Sequence, residues 1–249
     1  MTRPRLDLVA TPPGARDLVV VAHGGQEHSL EEPHDWRHAI LRMWPLAAAA
    51  RQAAPHAQVA LVRYRYRGWN GDQAHAAADV LQLLDDVPDD IARILLVGHS
   101  MGGRAAIATA GHRRVVGVLG LAPWLPVDEP MRRLQDRLVV LAHGAQDQTV
   151  DPRLTAEFAR RVRRAGVPVA LFAAEDEAHA LLRRHGDWDE LVRRFVRTGL
   201  RLARDEDLEK ATTADPDHGA DPLPTWSRRR GTASAVAAVA AARLRLRVR

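Results

Sequence analysis

The chain contains no cysteine. That excludes disulfides, thiol nucleophiles and thiolate-bound metal, and it suits a reducing compartment. Lysine is nearly absent too: Lys210 stands alone against thirty-five arginines. No apolar run is long enough to span a bilayer, so no transmembrane segment is expected. Residues 1–17 carry proline and arginine but no apolar stretch of signal-peptide length, so the expected location is the cytoplasm. Neither GxGxxG nor GxxxxGK[ST] occurs, which argues against a phosphate-cradling turn. His34 and His38 stand one helical turn apart with no acidic ligand pattern nearby, so no metal site is read from them.

What is present fits one domain. The chain has 249 residues, 46% of them apolar, enough for one substantial core. The formal net charge is +5, but the excess is confined to one end. Residues 227–249 hold seven arginines and no carboxylate side chain, so residues 1–226 carry a net −2. A slightly acidic body lacks the basic face of a nucleic-acid binder, and no nucleic-acid partner is expected for it. The arginines of residues 228–249 leave open a contact with an acidic partner or a membrane surface. Compositional bias toward arginine is the competing explanation.

Short apolar runs alternate with longer helix-like stretches. Strands are expected at 17–22, 58–64, 91–97, 115–121, 138–142 and 167–173. Helices are expected at 34–54, with Pro45 as an internal flaw, at 73–84, from 103 to 110, from 152 to 166, and at 188–203. Asp151 reads as an N-cap, Pro152 as a first helical residue and Gly166 as a helix stop. Strands that are apolar throughout, each followed by a helix, predict a mostly parallel, doubly wound sheet in a three-layer α/β/α sandwich. Its site should lie at the carboxyl ends of the strands, in the loops 23–26, 98–102, 122–124, 143–147 and 175–179. The domain is expected to end at residue 204. Residues 205–249 turn acidic, then proline- and arginine-rich, then nearly all alanine and valine, and are expected to be a largely disordered tail, with room for a short helix at its end, whose removal spares activity.

Gly98-His99-Ser100-Met101-Gly102-Gly103 sits between an expected strand and an expected helix. A serine there occupies a sharp turn with its hydroxyl above the sheet edge. Glycines flank it because strand and helix backbones crowd together. With only four serines in the chain, the match is specific. This segment closely resembles the nucleophile elbow of α/β-hydrolases. His23-Gly24-Gly25 looks like their oxyanion loop, and Gly144-x-x-Asp147 is similar to their acid turn. The resemblance covers residues 17–200 and implies cofactor-free acyl transfer to serine, without specifying a substrate.

A neutral serine needs a base, and the family order is serine, then acid, then histidine. That order points to Ser100 as nucleophile, Asp147 as acid and His179 as base. His185 is the second candidate for the base, while His143 reads as structural. Asp128 and Asp151 are the other candidate acids, the latter with a ready explanation as a helix cap. Glu175, Asp176 and Glu177 read as a solvated acidic loop, with tuning of His179 by one of them as the alternative. Backbone N–H groups of Met101 and Gly25, or else of Gln26, are the expected oxyanion donors. Gln26, His99, Trp69 and Trp124 are candidate pocket residues. Residues 125–137 are too few for a large helical cap, so an open site for a small-molecule acyl substrate is expected. Ester hydrolysis is the leading reading, with acyl transfer or perhydrolysis on the same residues, or a non-catalytic binding protein of the same fold, as alternatives.

Overall fold

The computed structural model describes residues 3–34, 38–131, 134–229 and 231–247. Residues 35–37 of the expected first helix, and Arg230 and Arg249 of the basic tail, lie outside the described residues. Among the described residues, eight strands form one sheet in the order β1-β3-β2-β4-β5-β6-β7-β8. They are β1 (Arg5–Ala10), β2 (Asp17–Ala22), β3 (Gln58–Arg63), β4 (Arg93–His99), β5 (Val115–Leu121), β6 (Leu138–Gly144), β7 (Val169–Ala174) and β8 (Asp221–Pro222). Only β1 runs antiparallel, against β3. The six expected strands are present within two residues of their expected ends. The two edge strands were not expected. β1 alternates half-exposed residues instead of forming a continuous apolar run, and β8 is two residues long.

Because the inner strands are apolar on both faces, they build two cores. In β2, Val19 and Val21 point to one side and Leu18, Val20 and Ala22 to the other. The first face is covered by α2 (Met43–Ala53), α6 (His185–Gly199), α7 (Glu206–Thr212) and α8 (Thr232–Arg247). The second is covered by α3 (His75–Asp85), α4 (Met101–Thr109) and α5 (Pro152–Arg164). The expected first helix is split into α1 (His38–Leu41) and α2. Pro45 falls in the first turn of α2, where a missing N–H breaks no helical bond. Asp151 caps α5 through a bond from the Arg153 N–H to its Oδ1 (2.9 Å), as its position before Pro152 predicts.

The segment after Arg204 corrects the sequence reading. It does not form a disordered tail but folds onto the sheet's first face. Leu208, Ala211, Leu223, Ala242 and Leu246 are buried in that core. β8 extends the sheet beside β7, and α8 lies against the alanine-rich face of α2. The reason it escaped notice is physical. α8 is alanine-rich all round, so it has no apolar stripe to read, yet small side chains let two helices approach closely. The anchoring leucines of this stretch stand alone, Leu208 among charges and Leu223 between two prolines.

This topology places the site. The chain leaves β2 toward one side of the sheet and enters β4 on the other, and the helices that follow them, α2 and α4, lie on opposite faces. Their diverging paths open a crevice at the carboxyl ends of β2 and β4.

Candidate functional site

β4 delivers Ser100 to that crevice and α4 begins at the next residue. The turn between them is so tight that Ser100 sits at φ 56°, ψ −121°. A side-chain-bearing residue pays about 1–3 kcal/mol for such a conformation, which the surrounding structure must enforce. It does so by close packing. A Cβ at Gly98 would stand 2.2 Å from the Gly102 carbonyl oxygen, and one at Gly102 would stand 2.3 Å from that of Ala22. The Ser100 N–H donates to the Leu121 carbonyl (3.0 Å), and the Ser100 carbonyl accepts from the N–H groups of Arg104 and Trp124.

His179 lies in the turn between β7 and α6. Its Nε2 accepts from the Ser100 hydroxyl at 3.1 Å, and its Nδ1–H donates to Asp147 Oδ2 at 2.7 Å. Asp147 follows β6, with its side chain fully buried. Its Oδ1 accepts from the N–H groups of Thr149 (2.8 Å) and Val150 (3.0 Å). Its Oδ2 takes a second imidazole donor, His143 Nε2–H, at 3.0 Å. Burial alone would raise the pKa of this carboxyl. The bonds from His143, His179, Val150 and Thr149 outweigh it and hold the group well below the usual carboxylate range. The structure thus joins the three residues singled out from the sequence into one hydrogen-bonded chain.

The other candidates fall into place around it. His185 is drawn away from the crevice, its Nε2 2.9 Å from Ser234 Oγ on α8. Asp128 is solvent-exposed. The loops after β2 and β3 are zipped together: the Gln26 N–H donates to the Arg67 carbonyl (2.8 Å), and the Trp69 N–H donates to the Gln26 carbonyl (2.9 Å). Gln26 therefore cannot offer its N–H to an oxyanion. Among the described residues, no protein acceptor takes the N–H of Gly25 or of Met101. Gly25 must be glycine, because a Cβ would meet the Arg67 carbonyl oxygen at 2.3 Å and Met101 Sδ at 2.6 Å.

One candidate pocket residue is corrected. His99 is buried under the site, not in a pocket wall. Its Nε2–H donates to the His179 carbonyl at 2.8 Å, and its ring lies 4.9 Å from that of His179. Burial, with Arg42 and His179 nearby, pushes its pKa well below the ordinary histidine value, so it holds the loop as a neutral ring. Trp69 is buried against half-exposed Trp124, and the Arg104 guanidinium lies 3.9 Å and 4.7 Å from the two ring centroids. Glu129 Oε2 accepts from Arg104 Nε at 2.6 Å. This wall is preformed, and its charge is neutralised within the protein.

Sequence reasoning misjudged Glu177, read as solvated but in fact buried. Its Oε1 accepts from the Ala178 N–H (3.0 Å), and its Oε2 from the Arg184 N–H (2.8 Å) and Trp188 Nε1–H (3.1 Å). It gathers both ends of the loop that carries His179. Trp188, eleven residues on, is the signal that marks it: a buried indole N–H needs an acceptor. Among the described residues, no group of three His, Asp or Glu side chains is gathered to hold a metal, and no helix is long and apolar enough to cross a membrane.

Residues 19–246 match the family model described as the alpha/beta hydrolase family. No curated protein matches the chain. Among solved structures it is similar to Est1E from Butyrivibrio proteoclasticus, with 16% identity, 80% of this chain and 94% of that chain covered, and a TM-score of 0.55. An acetyl ester-xyloside bifunctional hydrolase from Caldicellulosiruptor lactoaceticus gives 16% identity, 78% and 88% coverage and a TM-score of 0.58. An esterase from Pyrococcus furiosus gives 16%, 79%, 92% and 0.55. At such identities the likeness is one of fold.

Proposed function

This chain belongs to the alpha/beta hydrolase family, and from that premise we propose that it is a serine hydrolase that cleaves carboxylic esters or related acyl compounds through an acyl-enzyme on Ser100. One observation carries the reading: the unbroken chain from Ser100 Oγ through His179 to buried Asp147, on a strained turn at the sheet's crevice. Ser100 Oγ attacks the acyl carbon as its proton passes to His179 Nε2. Asp147 fixes the ring orientation and stabilises the imidazolium that forms. The N–H groups of Gly25 and Met101 receive the tetrahedral oxyanion. Collapse expels the alcohol, which takes its proton from His179, and water repeats the sequence to release the acid. No cofactor enters these steps.

The segment 125–137 contains no helix among its described residues, so nothing there forms a large cap. That supports a small or exposed acyl substrate. The test is labelling with a fluorophosphonate probe, followed by turnover of p-nitrophenyl esters. Ser100 should be labelled, Ser100→Ala should not, and short-chain esters should be preferred. Folded wild-type protein that neither labels nor turns over any ester would overturn the proposal. A strong preference for long chains would overturn the open site.

A further inference from the structure

The proposed chemistry uses one imidazole, yet the acid carries two. His143 is 3% exposed, at the end of β6. Its Nε2 faces two acceptors, Asp147 Oδ2 at 3.0 Å and the Val150 carbonyl at 3.2 Å. A nitrogen between two acceptors must carry the proton. Its Nδ1 stands 2.8 Å from Thr155 Oγ1 on α5, a hydroxyl with no exposure to solvent. With Thr155 donating its hydroxyl proton to Nδ1, both ring nitrogens are satisfied in a single tautomer. Such an arrangement exceeds what packing needs. An aliphatic residue would fill the volume without leaving a buried polar ring to be paired at both ends.

Resting on the serine-hydrolase reading above, we propose that His143, set in its tautomer by Thr155, is a positioning residue that fixes the Asp147 carboxylate against His179. The fixing is geometric first. Thr149 and Val150 hold Oδ1, and without His143 the other oxygen would be located by His179 alone, the group it is meant to orient. It is also electrostatic. A second N–H on Oδ2 draws charge from that oxygen and moderates its pull on the imidazolium. The charged and titratable groups around this pair come from several elements. Asp147 meets His143 and His179 and acts on buried His99; His143 also feels Asp151 at the start of α5; His179 meets Ser100 and the ring of His99, with Arg42 acting on His99 from α2's amino end.

The experiment compares wild type, His143→Leu, His143→Gln and Thr155→Val. It measures the pH profile of kcat/KM on p-nitrophenyl acetate and the melting temperature of each. His143→Leu should lower kcat/KM about 10- to 100-fold. It should also move the acid limb of the profile to higher pH, because a carboxylate with one donor fewer holds the imidazolium proton more tightly. His143→Gln, whose amide N–H can reach Oδ2, should recover most of both effects. Thr155→Val should move the limb the same way by less. A purely structural His143 would change the melting temperature and leave the limb in place. That result, or a His143→Leu profile within twofold of wild type, would overturn the proposal. Should His143→Leu fail to fold, Thr155→Val and His143→Gln decide. Imidazole 15N spectra of wild type make the two readings separable. A hydrogen-bonded His143 Nε2–H in a protein that no fluorophosphonate labels would sink the hydrolase function and keep the contact. A labelled protein with His143 protonated at Nδ1 would do the reverse.

Discussion

Two buried aspartates, Asp147 behind the candidate nucleophile and Asp189 under the carboxyl-terminal segment, have opposite fates. Asp147 has donors on both oxygens and a strongly depressed pKa. Among the described residues, Asp189 on α6 has one ion pair, Oδ2 to Arg229 at 3.2 Å, and its Oδ1 has no partner. Burial pushes its pKa up to about 6, and the charges of Arg229 and Arg193 only partly offset it. Burial is thus no guide to a carboxylate's charge; the count of donors is. At the crevice, backbone turns and two imidazoles supply them. At the seam between α6 and the segment after β8, the backbone N–H groups of Trp226 and Ser227 go instead to Asp187 Oδ1 (2.8 and 2.7 Å), and Asp189 is left with the Arg229 guanidinium.

Four perturbations probe that contrast, taken from the largest expected effect downward. Truncation after Arg204 removes Leu208, Leu223 and Leu246 with their smaller neighbours from the core. At about 1.5–3 kcal/mol per buried leucine, the loss is on the order of 5–10 kcal/mol, comparable with the stability of a whole domain. The truncated protein should be insoluble or molten by near-UV circular dichroism. Soluble, active protein would restore the tail reading that the sequence suggested.

Next, Asp147→Asn should cut kcat/KM by about 10³- to 10⁴-fold while the protein stays folded, because an amide offers the wrong partner to one of the imidazoles. Steady-state kinetics beside a thermal melt would check this. An effect below tenfold would mean that the donors around Asp147 serve the fold alone.

Glu177→Gln should be milder. It keeps the shape but weakens the bonds to Ala178, Arg184 and Trp188, and replaces one acceptor oxygen by a donor. A cost of about 1–3 kcal/mol in denaturant titration is expected, with a loss of kcat as the His179 loop loosens.

The smallest change carries the opposite sign. Asp189→Asn should stabilise the protein by about 1–3 kcal/mol at pH 7–8 and by nothing at pH 4. Its raised pKa means that the folded state binds the proton more readily than the unfolded one. Stability from this group is therefore present below the ordinary carboxylate value near 3.9 and is lost as pH rises toward 6. The ion pair forfeited with half-exposed Arg229 is worth little. Asp147 runs the other way: its contribution is present above the ordinary carboxylate value and lost as pH falls through its depressed pKa. Urea titrations at pH 4 and 7.5 would separate the two.

Much of the fold and the core of the candidate site could be read in advance. The six inner strands are continuous apolar runs, and such runs have few alternatives to a covered parallel sheet. Ser100 was marked by its glycines, Asp147 by the turn after β6, and His179 by lying past the last long strand. His99 and Glu177 were misread because a residue in a polar stretch carries no local sign of which side will be covered. The bonds of His143 were invisible for a related reason: its partners, Thr155 and the Asp147 oxygen shared with His179, come from segments that only the closed sheet edge brings together.

The amino-acid sequence by itself determined the alternation of apolar strands and helices and the strained serine turn, since both follow from local sterics and from side chains that must leave water. Only the tertiary structure decided which histidine faces Ser100, which carboxylates are charged, and that the alanine-rich end of the chain docks on the sheet's first face through Ala242 and Leu246. Those outcomes depend on donors and surfaces contributed from far along the chain, and no local pattern encodes a partner that arrives from elsewhere.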